Sequence, residues 1–152
     1  MQRPFLILAL ALVAGPALTA LAQGGPAPCP ATPCVEDDQT ICLNGSRFRV
    51  KGFFDTVNDA DTLLEPMGAE RLTGDTGYLY FKNPDNVEVI LKVLDACPTA
   101  YDRFWVFLAG LTDVRVEVEV CDTQAGVLRS YGNPQTTPFQ PIQDTDAFAT
   151  CP

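Results

Sequence analysis

No histidine occurs anywhere in this 152-residue sequence. Nucleophilic pairs of the Ser-His and Cys-His kind are therefore ruled out in their usual forms. No C-x-x-C spacing occurs either, so a zinc centre lacks its ordinary ligands. Positive charge is scarce: 10 Lys and Arg stand against 19 Asp and Glu, a formal net charge of −9. Nucleic acid and anionic membrane surfaces both demand a basic face, which argues against them as partners. Beyond the N-terminus no run is long and apolar enough to cross a bilayer, so no membrane insertion is expected. No long stretch carries the helical period of apolar residues, which turns attention to strands.

What is present begins with MQRPFLILALALVAGPALTALAQ: Arg3, an apolar run over residues 5–14, then Ala20-Leu21-Ala22. A basic start, a short apolar centre and an A-x-A end predict a secretory signal peptide over residues 1–22, cut before Gln23. The remainder is then an exported domain of net charge −10, since Arg3 leaves with the signal. All six cysteines (Cys29, Cys34, Cys42, Cys97, Cys121 and Cys151) fall in that part. An even count in an exported chain reads as three disulfides. The preferred pairing is Cys97 with Cys121, at the ends of two predicted strands. The other four would tie the N-terminal segment to itself and to the C-terminal tail. Residues 23–40 read as a Pro/Gly-rich flexible lead-in carrying Cys29 and Cys34, and residues 41–152 as the folded domain.

Within that domain the apolar period is two. Arg47-Phe48-Arg49-Val50-Lys51 alternates with its cations outward and Phe48 and Val50 inward. Asn83-Pro84-Asp85-Asn86 is a turn sequence, and a three-residue loop there opposes Phe81 to Val89, Leu79 to Leu91, Tyr80 to Ile90 and Lys82 to Glu88. A second hairpin turns over residues 122–126. Its expected register opposes Val120 to Leu128 and Glu119 to Arg129, and Glu117 and Glu119 should lie beside the cationic strand. RFWVFLAGL, residues 103–111, is apolar on both faces, as a central strand would be. Strands this short with turns this frequent predict an antiparallel β-sandwich of about seven strands, stapled by disulfides, with a small β-barrel as the alternative.

ICLNGSRFRV, GYLYFKNPDNVEVILKVLDAC, RFWVFLAGLTDV, VCDTQAGVLRSYGNP and DTDAFATCP together cover nearly all of the folded part. As a set they resemble a β-rich module of exported and multi-domain bacterial proteins whose role is uncharacterised. In such modules a Trp-containing strand and a Gly-rich loop usually follow RFRV; here the piece is KGFFDTVNDADTLLEP, more acidic and without Trp. The resemblance implies a compact exported domain. It implies no reaction, catalytic residue or ligand.

Candidate sites follow from residue chemistry alone. Asp55, Asn58, Asp59 and Asp61 crowd oxygen ligands into one loop, as calcium requires, although the D-x-[DN]-x-[DN]-G order is missing and a solvated loop is the preferred reading. Tyr78, Tyr80, Trp105 and Phe107 can share one outer sheet face, an aromatic platform of the kind that grips carbohydrate or protein surfaces. The preferred expectation, however, is that the tail, with Phe139, Ile142 and Phe148 and a tether at Cys151, covers that face. YGNPQTTPF, residues 131–139, is a Pro-punctuated loop of the sort a secreted protease inhibitor presents. Paired carboxylates serve glycoside hydrolysis, but Glu117 and Glu119 have cationic neighbours to face. The resulting expectation is a secreted, non-enzymatic binding or structural module without a cofactor, calcium being the alternative. A protease inhibitor and a small carboxylate-based enzyme are the alternatives.

Overall fold

Alternation of buried and exposed residues runs along nearly every strand, and it builds two antiparallel sheets. The computed structural model describes residues 28–55 and 64–152; the expected signal, residues 1–22, lies outside them. Ten strands follow in order: β1 (Ile41–Leu43), β2 (Phe48–Asp55), β3 (Glu65–Pro66), β4 (Gly68–Arg71), β5 (Thr76–Tyr80), β6 (Val89–Asp95), β7 (Phe104–Gly110), β8 (Arg115–Asp122), β9 (Val127–Asn133) and β10 (Ile142–Phe148). One sheet runs β1-β2-β8-β9, with β3 also on β2; the other runs β10-β7-β6-β5-β4. The protein is a disulfide-stapled β-sandwich, with β1, β3 and β4 as short additions to the expected seven strands.

The inward faces supply the core. Phe48, Val50 and Phe54 of β2 and Val116, Val118 and Val120 of β8 meet Leu79, Leu91, Val93, Val106 and Leu108 of the opposite sheet, all buried. Each such side chain contributes roughly 1.5–3 kcal/mol of transfer free energy. One side of the sandwich is closed by backbone, Met67 N–H donating to Gly52 O and Ala69 N–H to Asp38 O. The other side, where β9 and β10 are edges, is closed by side chains. There Tyr131 donates to Asp144 at 2.8 Å, and Arg129 Nε donates to Ala147 O at 2.6 Å.

Both expected hairpin registers shift. β5 pairs with β6 as Leu79–Val89 and Tyr78–Ile90, two residues from the expectation, so every side chain keeps its face. Phe81 leaves the ladder to stack on Phe54, ring centroids 4.3 Å apart, and Lys82 pairs with Glu65 instead of Glu88. In the second hairpin Val120 opposes Arg129 and Cys121 opposes Leu128, a slip of one residue that turns β9 over. The cause is the turn. Asp122 Oδ1 accepts from the N–H groups of Gln124 and Ala125, and Gly126 at φ +68° closes a four-residue loop.

The disulfides are Cys29–Cys121, Cys34–Cys42 and Cys97–Cys151. The expected Cys97–Cys121 bridge is not formed: Cys121 is on β8 of one sheet and Cys97 follows β6 of the other. Cys34–Cys42 does tie the N-terminal segment to itself, but that segment is not tied to the tail: Cys29 reaches β8, and Cys151 tethers the tail to Cys97. From Pro28 onward the lead-in is held by its bridge to Val127 and by Cys29 N–H donating to Gly126 O. Arg47 also departs from expectation: it is buried, not outward, and pairs with fully buried Asp122 at 2.7 Å.

Candidate binding face

The outward side of the second sheet is set by the same alternation that fills the core. Because Leu79, Leu91, Val106 and Leu108 point inward, Tyr78 and Tyr80 of β5, Ile90, Lys92 and Leu94 of β6, and Trp105, Phe107 and Ala109 of β7 point outward. The ladders align them in rows: Glu70–Tyr78–Ile90–Ala109, then Thr76–Lys92–Phe107–Gln143, then Leu94–Trp105. All four aromatics proposed from sequence therefore lie on one face. They form two groups either side of β6, on strands ~9.6 Å apart and offset along them by at least one row.

The tail does not cover this face. Its β10 runs beside β7 in the same sheet, while Phe139 and Phe148 are buried in the core and Ile142 packs against it. Tyr78, Tyr80, Trp105 and Phe107 are each part-exposed, and Ile90 is 44% exposed. Tyr80 lies flat across Gly68 on β4: a Cβ there would meet its ring at 2.1 Å. Trp105 and Phe107 are in edge contact at 6.1 Å, and the exposed Tyr101 ring stands on Trp105 at 4.9 Å. The Trp105 indole N–H is buried without an acceptor among the described residues. Burial raises the Tyr78 pKa, helped by Glu70, Tyr80 and Asp85, so Tyr78 stays a neutral phenol.

Beside Phe107 the sheet surface forms an open groove of about 290 Å³ that runs from Thr76 of β5 across to β10. Ile90, Lys92, Phe107 and Ala109 line it, with Pro141 and Gln143 as one wall. The Lys92 ammonium stands 5.4 Å from the Phe107 ring centre. The chain matches no protein-family model, no curated protein and no solved structure. The geometry of this face is therefore the main guide to function.

The other candidates fare differently. Asn58, Asp59 and Asp61 lie outside the described residues; Asp55 is buried at the end of β2, opposite Arg115 in the ladder. Among the described residues no group of three or more Cys, Asp or Glu gathers to hold a metal ion. Glu119 opposes Lys51 and Glu117 opposes Phe53 across β2 and β8. The loop after β9 folds on itself: the buried Asn133 amide donates to Val114 O, Pro134 O and Thr137 O, and Gln135 accepts from Arg115 N–H.

Lys92, Gln143 and Tyr101 were not singled out from sequence. Lys92 was legible in principle, since it alternates with core residues in VEVILKVLD. Gln143 was not, because only pairing of β10 with β7 brings it beside Phe107.

Proposed function

We propose that this protein is an exported, non-enzymatic β-sandwich module that binds an extracellular partner through the outer face of the β10-β7-β6-β5-β4 sheet. The observation that carries this reading is a sheet face, covered by none of the described residues, that holds Tyr78, Tyr80, Trp105 and Phe107 and an apolar groove beside Phe107. Contiguous aromatic and aliphatic surface of this kind on a small domain marks a contact site. Three disulfides fit an oxidising compartment, and the signal-like N-terminus fits export. The absence of histidine removes the commonest general base and supports a non-catalytic role.

Trp105 is the single tryptophan of the chain and sits on the face itself, so its emission reports occupancy directly. Soluble xylan, laminarin, polygalacturonate, chitin oligosaccharides and peptidoglycan fragments form a suitable titration panel. At least one should shift Trp105 emission saturably. Phe107→Ala should abolish that response while circular dichroism and Tm stay near wild type. A panel without any response, or a Phe107→Ala protein that responds fully, would overturn the proposal.

A further inference from the structure

The groove on this face is not uniformly apolar, and its one cation points to the ligand. Lys92 projects from β6 between Thr76 and Phe107 in its row. Acids outnumber bases 19 to 10, and four of the described cations sit in ion pairs. Arg47, Arg71, Lys82 and Arg103 all hold carboxylates. Lys92 holds none among the described residues. Asp75 feels its charge, but that carboxylate accepts from the Thr73 and Thr76 hydroxyls at 2.6 and 2.8 Å and forms no salt bridge with it. The ammonium is instead retained over the Phe107 ring, with the Gln143 amide across the ladder as both donor and acceptor.

We propose that the occupant is a carboxylated polysaccharide, a chain of uronic acid residues, seated with a carboxylate on Lys92. The inference rests on the binding-face reading above and narrows it to one ligand class. A pyranose ring offers a C–H face that stacks on Phe107, hydroxyls that suit the Gln143 amide, and, when oxidised at C6, a carboxylate within reach of the ammonium. Tyr78 lies two strands across and one ladder row along from Phe107, ~12 Å away, so further sugars of a bound chain extend toward it. The net charge of −9 opposes an anion at long range. Screening removes most of that beyond about 8 Å at physiological salt, leaving the charges of the groove to decide.

Polygalacturonate and its fully methyl-esterified form share one backbone and differ in charge, so they separate stacking from charge recognition. Titrations followed by Trp105 emission should show the acid form binding at least about tenfold more tightly than the ester. Lys92→Gln should erase that difference with Tm unchanged, and Lys92→Arg should keep most of it. Ester binding as tight as acid binding would overturn this inference while the binding face stands. Poly-glutamate binding with the same Lys92 dependence and greater affinity would also overturn it, in favour of an acidic polypeptide. Failure of both pectin forms while another panel member binds at Phe107 likewise removes only this inference; failure of the whole panel removes both.

Discussion

Asp122 is fully buried, yet among the described residues its side chain is the most heavily bonded. It receives Arg47 through Nε and Nη2, the Thr150 hydroxyl at 2.6 Å, and the N–H groups of Gln124 and Ala125. Arg47 in turn lies over the Phe104 ring at 4.3 Å and donates to Thr150 O. Burial alone would raise the Asp122 pKa, but the hydrogen bonds from Arg47, Thr150 and Ala125 outweigh it and hold the carboxyl below its ordinary value. A carboxylate depressed in the folded state stabilises above its unfolded pKa, about 3.9, and that contribution is lost as pH falls through the folded value. Asp122→Asn leaves Arg47 buried without its anion, which costs about 3–5 kcal/mol, or roughly 10–20 °C in Tm at pH 7. The gap between wild type and variant should narrow below pH 4 in thermal melts run down to pH 2.5. A gap that stays constant with pH would refute this role. Glu88 has the opposite sign: burial raises its pKa, opposed by hydrogen bonds from Asn86 and Thr112. Glu88→Gln keeps an acceptor for both and should raise Tm slightly at pH 7, with the gain vanishing as Glu88 itself protonates in more acid solution.

At the scale of elements, the tail is the part whose attachment can be tested most directly. Strand β10 pairs with β7, Phe148 sits in the core, and Cys151 is bridged to Cys97 across a separation of 54 residues. Closing a loop of that length in the unfolded chain stabilises the fold by about 4 kcal/mol. A Cys97→Ala/Cys151→Ala protein should lose most of that in urea unfolding, with amide exchange rising first along β10. Uniform exchange across all strands would show that the tail is not a separable unit. The element boundaries here were legible because alternation is local: Phe48 and Val50, the valines of β8 and the two-faced β7 all read correctly from sequence. Register was not, because it depends on partners far away. Phe81 left its hairpin for Phe54, and Asp122 shaped its turn while bonded to Arg47, 75 residues earlier. The disulfide pairing failed for the same reason, since which strand ends lie close is decided by sheet order.

For the molecule as a whole, the four aromatics of the site were identifiable in sequence because period two puts them on the outward faces of β5 and β7. Whether that face was open depended on where the tail went, and no local pattern encodes that. The outcome is an acidic protein carrying an open apolar face, and the two properties act against each other. At neutral pH the net charge of −9 keeps copies apart despite Ile90, Trp105 and Phe107. As the pH approaches the sequence pI of about 4.2 that repulsion vanishes, and the face becomes the most adhesive surface available. Sedimentation in 0.15 M salt should therefore report a monomer at pH 7 and reversible association near pH 4. Ile90→Gln, which changes no charge and alters a 44% exposed side chain on this face, should shift that association to several-fold higher protein concentration. If wild type and Ile90→Gln associate identically, contact runs through the exposed strand edges β9 and β10 instead.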